Sequence, residues 1–265
     1  MKKFLFIIFI LLCNVLYSEG IFNYPLSRTD EGLYLTGKES ETYGSFVWGK
    51  HQNLSISPNY FDSYGFRVFT SEKREFNPGI FFHNSDLLFN FLMPSVSNPT
   101  DDLTTNIKYK LDFNIGYLFK IKLPIEKLSL YAGPYSNTGF LLGSYSQIEN
   151  ILIQSFFYSN IGVEGSVEYD LMKTIRFGVD YNTSIIGLDL GRNGYNKDFT
   201  SDINLSTFNN FLNMKLSVYT EYDLSRTESI RLFYTHSAFS EFDDNNTIIS
   251  GEHSIGLGLN TKLVR

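Results

Sequence analysis

The sequence contains a single cysteine, Cys13, which lies close to the N-terminus. Disulfides therefore cannot hold the rest of the chain together, although exported domains often depend on them. Acidic residues outnumber basic ones, and the net charge of −6 argues against a nucleic-acid partner. Beyond the N-terminal segment, no run approaches the ~20 consecutive apolar residues that a transmembrane helix needs.

The N-terminal segment itself has the features of an export signal. Met1–Lys3 is short and basic, Phe4–Leu12 is apolar, and Ser18 or Gly20 offers a small residue for cleavage. We therefore predict that residues 1–18 form a signal peptide and that the protein leaves the cytoplasm.

Cys13 allows a second interpretation, in which it accepts the lipid of a lipoprotein signal. Leu12 precedes it, at a position where such signals resemble one another in having Gly, Ala or Ser. The simpler interpretation is that Cys13 is removed together with the signal peptide.

The stretch from Asn106 to Leu123 has the most regular pattern in the chain. Its odd-numbered positions from Ile107 onward are apolar or aromatic, and its even-numbered positions, except Leu118, are Lys, Asp, Asn or Gly. Successive side chains of a β-strand point to opposite faces, so the pattern predicts a strand with one apolar and one polar face. The stretch is longer than the ~9–11 residues that a strand needs to cross a bilayer. The predicted lipid-facing side chains, here and in the last strand, are Leu111, Phe113, Ile115, Tyr117, Phe119, Leu257 and Leu259.

Similar alternation of apolar and polar residues recurs towards the C-terminus, where the strands are connected alternately by short turns and by longer loops. The turns lie near residues 125, 172 and 226, and the loops near residues 150, 199 and 245. Short connections on one side and long ones on the other are typical of transmembrane barrels, as is the 17% content of aromatic residues. We predict an all-β fold, a transmembrane antiparallel up-and-down β-barrel of about ten strands, with eight or twelve also compatible. Residues 19–41 are the predicted N-terminal leader, and residues 42–265 are the predicted barrel.

Alternation does not reveal whether the polar face points outward to solvent or into the barrel, because a soluble lipocalin-like barrel has the same period with its faces reversed. Two features favour a polar interior. Glycines recur on the polar face, where they would make room for long neighbours inside a narrow barrel, and charges of both signs stand where they could pair across a turn. The predicted interior charge pairs are Glu168 with Arg176 and Glu221 with Arg231, and the glycines are Gly116, Gly162, Gly178, Gly256 and Gly258.

Over most of the mature chain, this pattern resembles the broad class of outer-membrane β-barrel proteins of Gram-negative-type bacteria. The resemblance implies an outer-membrane location, with outer-membrane lipid and the barrel-assembly machinery as partners, and a monomer that needs no cofactor. Such proteins commonly end in an aromatic residue, whereas this chain ends Lys262-Leu263-Val264-Arg265.

The histidines offer little chemistry. His51, His83, His236 and His253 show no close metal-ligand spacing, so no metal site is predicted. Barrel lipid hydrolases carry a His-x-Ser-Asn stretch, which places a base and a nucleophile on one face of a strand. Here His236 and Ser237 are adjacent and should face opposite ways, so His236 is only a weak catalytic candidate.

The function that this sequence predicts is that of a non-enzymatic integral outer-membrane barrel. Its role would be structural, surface-exposed or that of a narrow channel, because a barrel of about ten strands is filled largely by its own side chains. A soluble exported barrel that binds an apolar ligand and a barrel lipid hydrolase are the alternatives.

Overall fold

A computed structural model describes residues 35–54, 57–76, 79–94, 106–146, 151–193, 204–207, 211–242 and 247–264. The signal peptide, Cys13 and most of the predicted leader lie outside these residues. The described chain forms eleven strands. They are β1 (Leu35–Asn53), β2 (Ser57–Phe76), β3 (Gly79–Pro94), β4 (Asn106–Ile121), β5 (Leu128–Ser146), β6 (Ile151–Met172), β7 (Ile175–Asn193), β8 (Asn204–Thr207), β9 (Phe211–Asp223), β10 (Glu228–Glu241) and β11 (Ile248–Val264).

The strands form one closed sheet. β1 to β6 are neighbours in chain order, β6 pairs with β7, and β11 returns to pair with β1. The short β8 and the longer β9 both pair with β7, one beyond the other, so together they occupy one position in the wall. The described wall therefore has ten positions, and the predicted antiparallel barrel of about ten strands is confirmed. Among the described residues, no helix is long and apolar enough to cross a membrane.

The two ends of the barrel are distinguished by their connections. We call the end that holds the start of β1 and the finish of β11 the turn end, because the short connections 122–127, 173–174 and 224–227 lie there. The opposite end, where β1 finishes and β11 starts, is the loop end. This division positions every interior residue along the barrel axis.

Side chains alternate between an exposed outer face and a buried inner face. On β4, Lys108, Lys110 and Asp112 are at most 8% exposed, whereas Tyr109 and Phe113 are 40% and 37% exposed. The arrangement is the reverse of a soluble barrel, whose apolar side chains fill the interior.

The first strand begins earlier than the sequence pattern predicts. β1 starts at Leu35, so the last part of the predicted leader 19–41 belongs to the barrel wall. The acidic stretch around Glu39 and Glu41 resembles a polar turn in sequence. In the structure both carboxylates have partners, because Glu41 pairs with Arg231 and Glu39 accepts a hydrogen bond from Asn260.

Glycines on the inner face serve aromatic rings rather than the long charged neighbours that the sequence suggests. At each of six positions a glycine lies directly opposite an aromatic residue on the next strand, and an added Cβ atom would collide with that residue. At five of these positions the ring itself occupies the space that a side chain would otherwise take, and at Gly258 the Cβ atom of Tyr43 does so. The pairs are Gly116 with Phe82, Gly139 with Tyr158, Gly162 with Tyr135, Gly178 with Tyr219, Gly256 with Phe233 and Gly258 with Tyr43.

Candidate functional site in the barrel interior

A charged network crosses the middle of the barrel, and Arg67 is at its centre. The Arg67 side chain is 4% exposed and starts from β2. Its Nε lies 3.2 Å from Asp86 Oδ1 on β3, and its Nη2 lies 3.6 Å from Glu252 Oε2 on β11. The same Nη2 donates a hydrogen bond of 3.1 Å to Ser237 Oγ on β10. One guanidinium therefore joins four strands.

Two lysines complete this network from other parts of the wall. Lys108 on β4 pairs with Glu252 and donates a 2.8 Å hydrogen bond to Ser250. Lys215 on β9 lies 3.0 Å from Asp86 Oδ2. Because β3 and β9 are separated by four strands of the wall, the Lys215–Asp86 contact spans the lumen.

A second ionic cluster occupies the turn end. Arg231 Nη1 lies 2.8 Å from Glu41 Oε1, and Arg231 Nη2 lies 2.6 Å from Glu221 Oε2. Lys262 also pairs with Glu221, and the Arg231 guanidinium lies 4.0 Å above the centre of the Tyr219 ring. Buried charge pairs join β1, β9 and β10 in this cluster, and the half-buried Lys262 adds β11.

The two charge pairs predicted from sequence are placed differently. Arg231 and Glu221 face each other directly in the register of β9 and β10. Arg176 instead faces Asp170, because the pairing of β6 and β7 shifts between Asp170 and Met172. Arg176 Nε lies 3.0 Å from Asp170 Oδ1, while its Nη1 is 3.7 Å from Glu168 Oε2. The assumption of a symmetric turn was therefore wrong for the β6–β7 pair.

An apolar cluster, which sequence reasoning missed, occupies the interior at the loop end. The Phe239 ring centre lies 5.4 to 5.7 Å from those of Phe156, Tyr158 and Phe211. A signal for it exists, because Phe156 and Tyr158 share the even-numbered face of β6 with Glu164. The loop-end cluster comprises Leu141, Phe156, Tyr158, Phe211, Phe239 and Ile248.

Four asparagines form a ladder across neighbouring strands between these regions. Asn84, Asn114, Asn137 and Asn160 lie directly opposite one another on β3, β4, β5 and β6. Their amides are linked in sequence by hydrogen bonds of 2.5, 2.6 and 3.2 Å. Sequence reasoning also missed this ladder, because it appears only once the strand registers are known.

A cavity of about 80 Å³ lies in this interior among Arg67, Lys73, Asp86, Glu164 and Asp180. A buried water needs roughly 10–15 Å³, so the cavity has room for about five to eight waters. Among the described residues, no cluster of three or more His, Cys, Asp or Glu side chains has the geometry of a metal site.

The weak catalytic candidate His236 is separated from its neighbouring serine by the barrel wall. Its ring lies on the outer face, with its centre 4.7 Å from that of His253. Ser237 points inward and accepts a hydrogen bond from Arg67. The two side chains therefore cannot act together as base and nucleophile.

The side chains predicted to face lipid lie on the outer face. The most exposed of them are Phe119, Leu257 and Leu259, at 51%, 61% and 65%. Leu111, Ile115 and Tyr117 are half-buried beside their outward neighbours.

This architecture is that of the bacterial outer-membrane β-barrels, with a closed antiparallel wall, an apolar outer face and short turns at one end. No family model and no curated protein matches the sequence. The chain is similar to the outer-membrane protease OmpT of Escherichia coli, with a TM-score of 0.58 and 11% identity over 89% of this chain and 100% of that one. It also aligns with the translocator domain of the autotransporter NalP of Neisseria meningitidis, with a TM-score of 0.45 and 10% identity over 88% and 91% of the two chains. At these identities the likeness concerns the fold alone.

Proposed function

We propose that this protein is an integral outer-membrane barrel whose lumen is closed by its own side chains, with a structural or surface-exposed role rather than one in bulk diffusion. The observation that carries the proposal is the path of ion pairs from Lys215 through Asp86 and Arg67 to Glu252. These contacts cross the lumen at mid-height.

The two layers on either side strengthen this interpretation. The loop-end cluster fills the lumen above the charged network with packed rings, and the Arg231 cluster fills it below. Barrels with open aqueous channels have ~16 or more strands, whereas smaller barrels hold only side chains. The narrow-channel role is the alternative that conductance measurements can decide.

Membrane location is the first part of the proposal that can be tested. We expect the protein, exported by its signal peptide and assembled as a monomer, to require detergent for extraction from the membrane fraction. Lipid would cover the apolar outer face, and the barrel-assembly machinery would insert it. Release by salt or high pH without detergent would instead support the soluble barrel with an apolar ligand.

Conductance in planar bilayers tests the closed lumen. We expect the native protein to show no large, stable conductance. Arg67→Ser combined with Phe239→Ala and Arg231→Ser should produce a measurable, cation-preferring conductance, because the three changes thin all three layers and leave Asp86, Glu221 and Glu252 with fewer positive partners. The matched control is Arg176→Ser at the turn-end rim, where the side chain is 32% exposed and spans no part of the lumen. A large native conductance would contradict the closed lumen and favour the channel.

The proposal also assigns the protein no enzymatic activity. The separation of His236 and Ser237 by the wall supports this assignment. OmpT is a protease by name, but the likeness to it extends only to the fold.

A further inference from the structure

The outer face carries an apolar notch centred on Gly44 of β1. An added Cβ atom at Gly44 would meet no atom within 4 Å, so the wall is recessed there. Two adjoining shallow depressions, with volumes of about 550 and 360 Å³, share Gly44, Val68 and Leu257. Large outward side chains form the rest of the rim. They are Phe46, Phe66, Ile230, Leu232, Ile255 and Leu259.

An unbroken run of rings leads from this notch towards the loop end. The Phe46 ring centre lies 6.2 Å from that of Trp48, which lies 5.8 Å from that of His253. His236 stacks beside His253 at 4.7 Å, and the Tyr234 hydroxyl lies 2.6 Å from His253 Nδ1. Amphipathic rings of this kind are typical of the level where lipid headgroups meet acyl chains.

The level above the rings is open and basic. Lys50 is exposed on the outer face of β1, directly opposite Gly251. Gly251 lies opposite Ala238, and an added Cβ atom on Gly251 would also meet nothing within 4 Å. These small residues leave space beside the Lys50 ammonium.

The polar groups around this space favour a phosphate. The outward positions of β10 and β11 from the notch up to this level carry no carboxylate, and the facing outward residues of β9 are Met214 and Leu216. On the outer face of β2, Asp62 is the acidic residue between the notch and the loop end, while Glu72 lies towards the turn end and pairs with Lys38. Lys50 and the ring N–H groups of the two imidazoles therefore offer three donor groups to a phosphate against the single carboxylate of Asp62.

We propose that the Gly44 notch binds one acyl chain of a lipid with an anionic, phosphate-bearing headgroup, and that this headgroup lies against Lys50 and the His236–His253 pair. The apolar recess and the basic, ring-lined level are continuous through Phe46 and Trp48, as a single lipid molecule requires. The inference rests on the membrane location proposed above and goes beyond the role proposed for the lumen.

Trp48 makes the site directly measurable, because it is the only tryptophan in the sequence. The full-length mature protein is reconstituted into phosphatidylcholine vesicles that contain a minor fraction of either brominated phosphatidylglycerol or brominated phosphatidylcholine. Bromine on the acyl chain quenches tryptophan on contact. We expect phosphatidylglycerol to be preferred about fivefold, because one basic group near a phosphate headgroup contributes a preference of this order.

Three variants separate the acyl-chain site from the headgroup site. Gly44→Phe should fill the notch and remove the preference. Its matched control is Gly165→Phe, an outward glycine of β6 whose added Cβ atom would meet only Tyr131 O at 3.7 Å. The control should keep the preference. Lys50→Gln should reduce it while leaving quenching by phosphatidylcholine unchanged.

Four other results would overturn the inference. Equal quenching by both lipids in the native protein would show ordinary lipid contact without a site. Loss of the preference in Gly165→Phe as well would show a general effect of added bulk. If the Gly44→Phe variant had a lower molecular mass in detergent than the native protein, a second copy of the chain would occupy the notch. An absence of quenching by either lipid would contradict the membrane location itself.

Discussion

The interior of the barrel is filled in two chemically different ways. At the turn end, Arg231 is surrounded by Glu41 and Glu221, which are 5% and 1% exposed as side chains. At the loop end, Phe239 is surrounded by Phe156, Tyr158 and Phe211. Charged groups lie at the edge of these rings, where the Lys110 ammonium is 5.3 Å from the Phe239 ring centre and the Tyr158 hydroxyl donates a hydrogen bond to Asp112. The turn end is built by pairing charges, and the loop end is built by packing rings.

The difference shows that an inward position in such a barrel does not require a polar side chain. What it requires is that the space be filled and that every buried charge have a partner. Ion pairs can be placed only where groups of opposite sign meet in register or across the lumen. Aromatic rings need only space beside them, which a glycine provides in the six glycine–aromatic pairs, including the pair of Gly139 with Tyr158 at the loop end.

Removal of Arg231 should have the largest effect, because it breaks the turn-end cluster. Arg231→Met leaves Glu41 buried without its cation, while Glu221 keeps Lys262. Breaking a buried pair in this way costs about 3–5 kcal/mol of the free energy of unfolding. Urea unfolding in lipid vesicles, followed by Trp48 fluorescence, measures this loss.

The exposed pair at the rim provides the control for that experiment. Arg176→Met removes a cation whose side chain is 32% exposed, so the loss should be about 0–1 kcal/mol. The double variant Arg231→Met, Glu41→Gln should recover part of the stability, because it removes the unpaired charge. If Arg231→Met were as mild as Arg176→Met, the turn-end cluster would contribute little to stability.

Much of this interior follows from the sequence, and the remainder depends on registers that alternation does not define. The two-faced strand from Asn106 follows directly from a period of two. The barrel class follows from that period together with the export signal, the aromatic content and the alternation of short turns with longer loops. The Glu221–Arg231 pairing follows as well, since a short symmetric turn sets its register. The β6–β7 turn contains a shift in register, which no local pattern reveals, so Arg176 lies opposite Asp170 while it also pairs with the predicted partner Glu168 at 3.7 Å.

The loop-end cluster escaped sequence reasoning for a different reason. Phe156 follows the same parity as Glu164, but aromatic residues occur on both faces of β6, since Phe157 is its outward neighbour. A face with aromatics at one end and carboxylates at the other has no single polarity. Only the closure of the wall, which brings β6, β9 and β10 around one space, shows that these rings meet.

Truncation of Phe239 tests the loop-end region in the same way. Phe239→Ala removes a ring that is 4% exposed and packs against three others. The change should lower the free energy of unfolding by about 3 kcal/mol or somewhat more. Unlike the loss for Arg231→Met, this loss should not depend on the ionic strength during unfolding. Phe119→Ala on the outer face, 51% exposed, is the control, because lipid can fill the space it leaves. Equal losses for both phenylalanines would mean that the loop-end cluster is not a tightly packed part of the interior.

Filling one of the inward glycines should have the smallest of the three effects and connects the two regions. Gly178 lies directly opposite Tyr219, and a side chain at Gly178 would displace the ring on which Arg231 lies. Gly178→Val should therefore lower the free energy of unfolding by about 2 kcal/mol, because the added side chain overpacks the interior. It should also lengthen the 3.0 Å hydrogen bond that the Tyr219 hydroxyl donates to Glu168. Gly165→Val, which points outward into open space, should change the free energy of unfolding by much less.

The double variant Gly178→Val, Arg231→Met should lose less free energy of unfolding than the sum of the losses for the two single variants, because both changes disturb the same contact between ring and guanidinium. Strict additivity would show that the aromatic and ionic parts of the turn end are independent.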